Sequence, residues 1–582
     1  MDSHQNLDGI RHTLAHLLAA TVRDLYPGAQ NAIGPAIENG FYQDFELPAP
    51  ISDADLQKIE NKMRAKLKHW TRSEKREVSI EEALKEFSWN KYKTELINDF
   101  AKEGKTITFY TLGDFVDLCK GGHSSNPAKE VDPTAFKLTK LAGAYWRGDE
   151  KKAQLTRIYG VAFSSKTELD GYLTMMAEAE KRDHKKLGPA LDLFVFSDLV
   201  GSGLPLWTPK GTMLRNTLDN FVWALRHEAG YEKVEVPHIT KKELYITSGH
   251  WDKYKDDLFK INTREGHVFA MKPMNCPHHT QIYNRKQWSY RELPQRYCNT
   301  TTCYRDEQTG ELSGLSRVRA FAQDDAHVFC RISQAKEELQ KIWNIVHVFY
   351  GAFGMPLRLR LSLRDPAHPE KYLGNQEHWD KAEKILREIA KENKTEYFEA
   401  PGEAAFYAPK LDFLAKDSIG REWQVATIQL DVNMPERFDL TCIAEDGSKE
   451  RIVMLHAAIM GSIERFLSVL IEHTAGHFPL WLSPVQARII AVSEKFQNYG
   501  EEILKQLKAA GIRAELADSN ETLGKRIRAA QVEKIPYVLV VGEKEVEAKT
   551  VSVRHHKRGD DGAPTLSELI QKMQKEIVEK SQ

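Results

Sequence analysis

Residues 301–327, TTCYRDEQTGELSGLSRVRAFAQDDAH, carry the pattern that best indicates the fold. Arg305 and Glu307 precede a turn that contains glycine, and the returning segment carries polar or aromatic side chains at alternate positions, namely Arg317, Arg319, Phe321, Gln323 and Asp325. Because successive side chains of a strand point to opposite faces, a strand here places all five on one face. Such a face suits ATP and an amino acid lying across an antiparallel sheet, since guanidinium groups bind phosphates and carboxylates. A salt-bridged exposed hairpin is the alternative, but it does not account for the interleaved ring and amide.

The bulk composition is that of a multidomain globular protein. A chain of 582 residues exceeds one hydrophobic core, so three or four domains are expected. No apolar run approaches the roughly 18–20 residues of a membrane span, and the first residues lack the pattern of a signal peptide. Six cysteines favour a reducing compartment, and we expect a cytoplasmic protein. The net charge of -1 gives no sign of a nucleic-acid partner, which would have to be bound by local patches.

Changes of pattern along the chain predict four segments. An N-terminal domain is expected over 1–170, and a polar helical linker over 171–190. A central domain is expected over 191–480, ending near the Pro-punctuated stretch PLWLSPVQ at 479–486. Alternating strand and helix patterns over 481–582 predict a small α/β domain with a mixed sheet.

Three metal-ligand residue types lie in the central region. Cys276 occurs in MKPMNCPHH, His327 in AQDDAHVFC and His456 in VMLHAAIMGSIERF. A lone Cys or His is more often a packing residue, and separations this long are not a recognisable metal motif. Their proximity to the arginine-rich strand is what makes a common site worth considering.

A second cluster is predicted in the N-terminal region. His12 and His16 have the spacing HxxxH on a helix and so share a face, while Cys119 and His123 have the spacing CxxxH. Either a structural zinc site or a hydrolytic site is compatible with these four residues.

Together these segments resemble a known family. The Arg-x-Glu hairpin resembles motif 2 of the class II aminoacyl-tRNA synthetases, GSIERF with Arg465 resembles motif 3, and EKVEVPH with Pro237 resembles the end of motif 1. Within that class, MNCPHH, RVRAFAQDDAH, AFYAPKLDF, WQVATIQLD and HAAIMGSIERF resemble the threonyl-tRNA synthetase family. The resemblance implies an α+β multidomain fold: a class II antiparallel-sheet catalytic domain, an N-terminal α+β editing domain and a C-terminal α/β anticodon-binding domain.

The resemblance also implies roles for individual residues. ATP would be bound by Arg305, Glu307, Arg317, Phe321, Gln424, Thr427 and Arg465. Threonine would be bound by Gln323, Asp325, Tyr407, Gln429 and Ser462. Cys276, His327 and His456 match zinc ligands, and Arg305, Arg465 and His250 match catalytic positions. The editing residues would be His12, His16, Cys119 and His123, without a commitment to metal there. Glu545 and Arg554 match anticodon-reading positions, and Lys525, Arg526, Arg528 and Lys534 would add local basic charge.

The implied activity is threonine activation with ATP, followed by transfer to the 3′ end of tRNA(Thr). One Zn²⁺ per subunit and Mg²⁺ with ATP are expected, in a homodimer without membrane contact. A metal that binds the β-hydroxyl would reject valine, because an obligate polar contact discriminates by about 10⁴–10⁵, whereas an apolar pocket reaches about a hundredfold. Serine keeps the hydroxyl and lacks one methyl, worth roughly 1–3 kcal/mol, so a second site that hydrolyses Ser-tRNA(Thr) is expected.

The chain departs from the family pattern at several positions. Ala457 stands where arginine usually follows the third zinc ligand, His278 where glycine is commoner, and Ala408 and Ala426 replace glycines near the threonine site. The HxxxH pair begins at His12, so the ubiquitin-like N-terminal domain of many bacterial members is expected to be absent.

Three alternatives remain open. One is a paralogue that kept the fold but lost aminoacylation and acts as a regulator or binding module. Another is a sister synthetase for proline or serine. The last is a freestanding editing hydrolase, which would leave most of the chain unexplained.

Overall fold

The computed structural model describes residues 3–149 and 151–581. The chain forms two compact units, Met1–Ala177 and Glu178–Gln582. None of the helices in the described ranges is long and apolar enough to cross a bilayer.

The first unit packs two helices against a five-stranded sheet. Its helices are α1 (Ser3–Leu25), α2 (Asp53–Leu67), α3 (Ile80–Glu86), α4 (Lys91–Lys102), α5 (Pro127–Glu130) and α6 (Lys166–Lys181). Its strands are β1 (Gln30–Asn31), β2 (Ala36–Ile37), β3 (Gly40–Glu46), β4 (Ser73–Val78), β5 (Ile107–Leu112), β6 (Phe115–Leu118), β7 (Phe136–Tyr145) and β8 (Gln154–Ala162). The larger sheet has the order β1-β3-β8-β7 with β2 beside β3, and β4-β5-β6 form a second sheet. Apolar side chains at helical spacing, such as Leu14, Leu18 and Val22, bury one face of α1 in this core.

The second unit begins with the central domain, whose elements run from 184 to 474. Its helices are α7 (His184–Ala190), α8 (Pro209–Glu228), α9 (Lys242–Ser248), α10 (His250–Lys253), α11 (Cys276–Tyr283), α12 (Ile332–Gly351), α13 (Gln376–Glu392), α14 (Asn433–Arg437) and α15 (Ile463–Thr474). Its strands are β9 (Phe194–Val195), β10 (Leu206–Trp207), β11 (Glu232–Lys233), β12 (Ile239–Lys241), β13 (Lys260–Asn262), β14 (Val268–Met271), β15 (Trp288–Ser289), β16 (Gln295–Tyr304), β17 (Ala320–Cys330), β18 (Leu357–Leu363), β19 (Tyr397–Pro401), β20 (Lys410–Lys416), β21 (Glu422–Asp431), β22 (Thr441–Ile443), β23 (Lys449–Arg451) and β24 (Val453–Ser462).

An eight-stranded sheet organises this domain. Its order is β11-β16-β17-β24-β21-β20-β18-β19, antiparallel except for the outermost pair at each edge. The apolar stripe of α12, with Leu339, Ile342 and Val346, joins the main core on one face of the sheet. The polar residues of the alternating pattern are thereby left to the opposite face.

Two irregularities adjust which side chains reach that polar face. In β21, Val425 is an extra residue, since Ala426 pairs with Phe413 and Gln424 with Leu414. This bulge lets Gln424 and Thr427 face the same way although three positions separate them. In the pairing of β17 with β24, Gln323 faces Ser462 and Asp325 faces Ala458. Two residues of β17 therefore correspond to four of β24, and an irregular segment of β24 lies opposite Asp324.

The C-terminal part of the second unit is a five-stranded mixed sheet of order β26-β25-β27-β28-β29 with helices packed on it. Its strands are β25 (Ala487–Ala491), β26 (Ala514–Leu516), β27 (Tyr537–Val541), β28 (Ser552–His555) and β29 (Gly559–Asp560). Its helices are α16 (Gln497–Ala509), α17 (Leu523–Val532), α18 (Glu543–Ala548) and α19 (Leu566–Val578). The predicted mixed sheet is confirmed, and β26, β29 and α18 are additions that the sequence pattern did not reveal.

Two details of the linkers differ from the sequence interpretation. The polar helical linker predicted over 171–190 is two helices, because α6 ends at Lys181 and the Asp183 side chain caps the first turn of α7. The stretch 479–486 lacks helix and strand as expected, yet Leu480, Trp481 and Leu482 are buried, so it is packed rather than loose.

Candidate active site, editing site and anticodon-binding domain

A cavity of about 680 Å³ opens on the polar face of the eight-stranded sheet. Its walls come mainly from β17, β21 and β24. All of the residues predicted for ATP and threonine line it, namely Arg305, Glu307, Arg317, Phe321, Gln323, Asp325, Tyr407, Gln424, Thr427, Gln429, Ser462 and Arg465. A volume of this size is in the range of small-molecule sites.

Arg319 does not join this face, contrary to the alternating pattern read from the sequence. Its side chain donates to the backbone carbonyls of Glu307, at 3.0 Å, and Ser202, at 3.2 Å. Arg317 and Arg319 both precede β17, which begins at Ala320, so strand alternation governs neither side chain, and the carbonyls of Glu307 and Ser202 hold Arg319 away from the cavity.

One end of the cavity combines cations with an aromatic ring. The guanidinium of Arg305 lies 5.1 Å from the centroid of Phe321, and its Nε is buried without a protein partner. Arg317 Nε donates to Glu307 at 2.7 Å, so these two predicted ATP residues hold each other. An unpaired buried N–H is costly, and Arg305 is therefore prepared to receive an anionic ligand.

A buried carboxylate that sequence reasoning missed organises this end. Asp412 Oδ1 accepts from Gln424 Nε2 at 3.0 Å and from Thr427 Oγ1 at 2.8 Å. Its Oδ2 accepts from Arg360 at 3.0 Å and lies 3.3 Å from Lys410 Nζ, which also lines the cavity. Asp412 lies two residues after Lys410 in β20, a period-two signal that identifies it only once β20 is known to flank the site.

At the other end lie the residues predicted to bind threonine. The Tyr407 hydroxyl donates to Gln429 Oε1 at 2.9 Å. Burial raises the pKa of Asp325 to about 7, and the nearby His456 opposes that shift. A carboxylate desolvated in this way favours a cationic partner, such as the ammonium group of an amino acid.

The three predicted metal ligands converge beside this end. One donor atom each from Cys276, His327 and His456 lies within 4.8 Å of the other two, and all three residues are buried. His250, predicted to be catalytic, is fully buried next to them, with its Nε2 3.8 Å from Cys276 Sγ and its Nδ1 2.8 Å from Ser248 Oγ.

An imidazole can bind a cation only through a ring nitrogen that carries no proton. The hydrogen bond made by the other ring nitrogen of His327 and of His456 indicates whether this condition is met. His456 Nε2 lies 3.0 Å from Asp431 Oδ2 and so donates to it, which leaves the Nδ1 lone pair free. His327 Nδ1 lies 2.8 Å from His279 Nδ1, and His327 Nε2 lies 3.1 Å from His456 Nδ1. Whether His327 Nε2 also has a free lone pair depends on which ring nitrogen of His279 carries its proton.

Two buried amides allow two positions for that proton. The Asn275 amide lies 3.0 Å from His279 Nε2 and 2.5 Å from the Asn299 amide. With Asn275 Nδ2 turned toward both, Asn275 Oδ1 and Asn299 Nδ2 are buried without partners. With both amides turned over, Asn299 Nδ2 and His279 Nε2 donate to Asn275 Oδ1, and Asn275 Nδ2 and Asn299 Oδ1 become the unpartnered atoms. In this second arrangement His327 Nδ1 donates to His279 Nδ1, and the lone pairs of His327 Nε2 and His456 Nδ1 face each other beside a thiol, which is the arrangement that a soft or borderline cation such as Zn²⁺ requires.

The electrostatics of Cys276 agree with that fit. Burial raises the pKa of its thiol well above the usual range, with Asp325 and Asp431 adding to the shift. A thiol in such surroundings becomes a thiolate ligand only when a metal ion compensates its charge.

The first unit brings its predicted cluster together as well. Cys119 Sγ lies 3.5 Å from His12 Nε2 and 3.2 Å from His123 Nε2, and all four donor atoms, including that of His16, fall within 4.8 Å. Burial lowers the pKa of His123 to about 3 and raises that of Cys119 to about 11. Burial also lowers the pKa of His12 and His16, so the cluster is neutral near pH 7.

Lys93 and Asp117 complete this site and were missed from the sequence. They form a buried ion pair of 2.7 Å, and both line a cavity of about 440 Å³ together with His12, His16 and Cys119. Asp117 precedes Cys119 by two residues at the end of β6, so strand alternation could have found it, whereas nothing in the segment around Lys93 distinguishes that lysine.

The predicted anticodon residues lie in the C-terminal sheet and its connections. Glu545, in α18, accepts the Gly542 N–H at 2.9 Å, and Arg554 is exposed on β28. The expected basic surface of α17 needs a correction. Arg526 is buried and donates to the Ala491 carbonyl at 2.7 Å, and Lys525 pairs with Glu521.

Comparisons with known proteins agree with this geometry. Residues 259–474 match the tRNA synthetase class II core domain (G, H, P, S and T). Residues 486–576 match an anticodon binding domain, and 107–159 match the threonyl and alanyl tRNA synthetase second additional domain.

Individual relatives cover nearly the whole chain. The threonine–tRNA ligase of Flavobacterium johnsoniae is 48% identical over 560 residues, which are 96% of this chain and 86% of that protein. The threonine–tRNA ligase of Gloeobacter violaceus is 46% identical over 592 residues, 99% of this chain and 93% of that one. Among solved structures, the RNA binding domain of threonyl-tRNA synthetase from Cryptosporidium parvum superposes with a TM-score of 0.64 at 36% identity, covering 68% of this chain and 98% of that one. The chain therefore belongs to the threonyl-tRNA synthetase family, the threonine–tRNA ligases, with a class II catalytic core, an anticodon-binding domain and an editing domain.

Proposed function

We propose that this ligase selects threonine with a zinc ion held by Cys276, His327 and His456, and activates it with ATP in the adjoining cavity. The observation that carries the proposal is the convergence of the three buried donors, which lie within 4.8 Å of one another, with His327 Nε2 3.1 Å from His456 Nδ1. The same cavity contains the arginines and the aromatic ring needed for a nucleotide.

Zn²⁺ bound by three protein ligands supplies open coordination positions for the amino group and β-hydroxyl of threonine. The protein residues around it fix the orientation of the amino acid. Asp325 faces the ammonium group, and the Tyr407–Gln429 pair lies beside them as a fixed polar wall. Valine has no hydroxyl, so the polar groups that would face it stay unpaired, which is the strong form of discrimination.

Activation is an in-line attack of the threonine carboxylate on the α-phosphorus of ATP, with pyrophosphate leaving. Arg305, whose Nε has no protein partner, neutralises charge at the α-phosphate and the carboxylate. Phe321 and Arg465 provide the two faces between which adenine stacks, and Arg317 leaves Glu307 to meet the terminal phosphate. The freed Glu307 then accepts the adenine amino group. As in other class II synthetases, Mg²⁺ accompanies ATP and shares the phosphate charge.

Amino-acid-dependent ATP–pyrophosphate exchange, with zinc measured on the same sample, tests this assignment. We expect strong exchange with threonine, weaker exchange with serine and none with valine, on about one zinc per chain, the content set by a single three-ligand site. Cys276→Ser should lose zinc and threonine-dependent exchange, with the buried Cys330→Ser as a matched control. Full exchange by the zinc-free variant would remove the zinc proposal.

For the first unit we propose hydrolysis of Ser-tRNA(Thr) at the His12–His16–Cys119–His123 cluster. His12 and His16, whose pKa values are lowered by burial, line one cavity with the Lys93–Asp117 pair, which supports substrate positioning without a tightly bound metal. The double variant His12→Ala, His16→Ala should keep threonylation and let Ser-tRNA(Thr) accumulate. Equal clearance of Ser-tRNA(Thr) by variant and parent would exclude this site.

We further propose a homodimer that works in the cytoplasm, with Glu545 and Arg554 reading the anticodon. The dimer is supported by exposed apolar side chains in and around the β9–β10 hairpin, which leads into α8, namely Val195, Phe196, Leu199, Val200 and Leu206. Sedimentation velocity should give twice the chain mass, and Leu199→Glu should shift it to the monomer. Arg554→Ala should raise the KM for tRNA without changing pyrophosphate exchange.

A further inference from the structure

The linker helix α7 reaches into the catalytic domain through one buried imidazole. His184, the first residue of α7, is only 3% exposed. Its Nδ1 lies 2.6 Å from Glu472 Oε1 in α15, and its Nε2 lies 3.1 Å from the backbone nitrogen of Leu315. One side chain therefore joins the linker, the C-terminal turn of α15 and the turn that returns from Glu307 to Arg317.

The hydrogen bonds fix the proton of this imidazole. The Leu315 N–H can only donate, so His184 Nε2 accepts, and Nδ1 must carry the ring proton and donate to Glu472. Asp183, His184 and Glu472 are near enough for a metal cluster, but His184 has no lone pair left for a cation. Arg421 already lies 2.6 Å from Glu472 Oε2 and neutralises it. The cluster is therefore held by hydrogen bonds and is not a metal site. We call the two hydrogen bonds of His184, to Glu472 and to the Leu315 N–H, the latch.

The turn is shaped around the imidazole. Gly314 has φ +50°, and a Cβ there would lie 2.4 Å from His184 Nε2 and 2.6 Å from Lys185 Cγ. Leu315 is fully buried, and Ser316 Oγ lies 2.9 Å from Ser468 Oγ of α15. Arg317, which comes next, lines the ATP cavity and pairs with Glu307.

We propose that His184 is a positioning residue for ATP: it holds the 313–317 turn in the shape that presents Arg317 and Glu307 to the nucleotide. This inference rests on the proposed ATP site. His184 lies near the beginning of the second compact unit and does not line the cavity, so it acts on the nucleotide site through the turn.

Two near-isosteric substitutions at His184 test its two hydrogen bonds separately, because each substitution keeps one of them and removes the other. In His184→Asn the amide nitrogen takes the place of Nδ1 and still donates to Glu472, but the acceptor for Leu315 is lost. In His184→Gln the longer side chain places its carbonyl near the position of Nε2, and it still accepts the Leu315 N–H. Lys186→Ala, an exposed change on the same helix, is the control.

The measurement is threonine-dependent pyrophosphate exchange at varied ATP and varied threonine, with melting temperatures of each variant. We expect His184→Asn to raise the KM for ATP about tenfold, equivalent to about 1.4 kcal/mol, and to leave the KM for threonine within about twofold. His184→Gln should lie much closer to the parent, and Lys186→Ala should match it.

Two further outcomes separate the latch from the ATP site itself. Arg305→Ala, measured in parallel, should abolish exchange; full activity there overturns the ATP site and this inference with it. If Arg305→Ala shows no exchange and His184→Asn leaves the KM for ATP unchanged, only the positioning role of His184 is overturned. Equal rises of both KM values in the Asn and Gln variants, with equally lowered melting temperatures, also overturn it, because they indicate a purely structural role.

Discussion

Replacing Arg226 by Gln should destabilise the catalytic domain and disturb the end of β24 that supports Ser462. Asp324 is fully buried and accepts the backbone N–H groups of Ile459, Met460 and Gly461 at 3.0–3.1 Å, in the irregular segment of β24. Arg226 Nη2 donates to the Asp324 carbonyl at 3.0 Å and lies 3.4 Å from its Oδ2.

The expected loss of stability depends on the partners of Asp324, which loses Arg226 and keeps its three backbone donors. Removing one partner of a buried ion pair costs about 3–5 kcal/mol. Because the three backbone donors remain, we expect a loss near the lower end, about 3 kcal/mol, or roughly 6–12 °C in the melting temperature at about 2–4 °C per kcal/mol. Burial already raises the pKa of Asp324 to about 6 against the opposing charge of Arg226. Removing Arg226 raises that pKa further, so the deficit should shrink as the pH falls and the carboxyl becomes protonated.

Ala457 provides the matched rescue, since it is the position at which the resemblance to the family predicts arginine. It faces Ala326 across the sheet, on the side of β17 that also holds Asp324, and its carbonyl already receives Arg226 Nη2 at 3.3 Å. The double variant Arg226→Gln, Ala457→Arg should recover at least half of the lost melting temperature and of the exchange rate. Calorimetry at pH 8.0 and 5.5 and pyrophosphate exchange measure both. A single variant that melts within 2 °C of the parent, or a double variant no better than the single one, would refute the reasoning.

Further predictions concern the two active sites. Asp412→Asn removes the charge that faces Lys410 and Arg360. A hydrogen bond to a charged group contributes about 1.5–3 kcal/mol, so kcat/KM for ATP in pyrophosphate exchange should fall roughly tenfold or more. An unchanged value would contradict the role given to Asp412. His279→Ala breaks the relay behind a zinc ligand and should weaken zinc binding about 10- to 100-fold in a chelator competition, whereas retention of parental affinity would disprove the relay. Lys93→Ala should slow hydrolysis of Ser-tRNA(Thr) about 100-fold while threonine activation continues, and rapid hydrolysis would exclude Lys93 from that site. Burial lowers the pKa of His123 to about 3, so the unfolded state binds its proton first, and the first unit should lose stability as the pH falls from about 6.5. His123→Asn should make the melting temperature of the first unit depend less on pH. An equally steep dependence in the variant would count against His123 as its origin.

The alternation of side chains in a strand explains why much of the ATP face was predictable. Phe321, Gln323 and Asp325 follow period two within β17 and line one cavity. Arg319 broke the pattern because it precedes the strand, and the local sequence does not mark where a strand begins. Family membership then supplied contacts between distant segments, such as Cys276 with His456, which spacing alone does not encode.

Residues that act through long-range contacts were not predictable. His184 and Leu315 are 131 positions apart, and Arg226 and Asp324 are 98 apart, so neither contact leaves a local pattern. Arg526 was read as surface charge because an arginine in a charged helix usually is. Its burial depends on the Ala491 carbonyl at the end of a neighbouring strand, which becomes visible only in the folded sheet.

The extra residue in β21 also determines which mutations the nucleotide site can survive. Deleting Val425 would restore an ideal ladder with β20 and keep Gln424 and Thr427 on one face, because two positions would then separate them. If Val425 instead entered the ladder, three regular positions would separate Gln424 from Thr427, and one of them would turn toward the apolar core. A conservative substitution at the same position changes one side chain and leaves both neighbours in place. What the nucleotide site requires between Gln424 and Thr427 is therefore the pairing of Gln424 with Leu414 and of Thr427 with Asp412, and a residue that stays outside the ladder can vary without disturbing it.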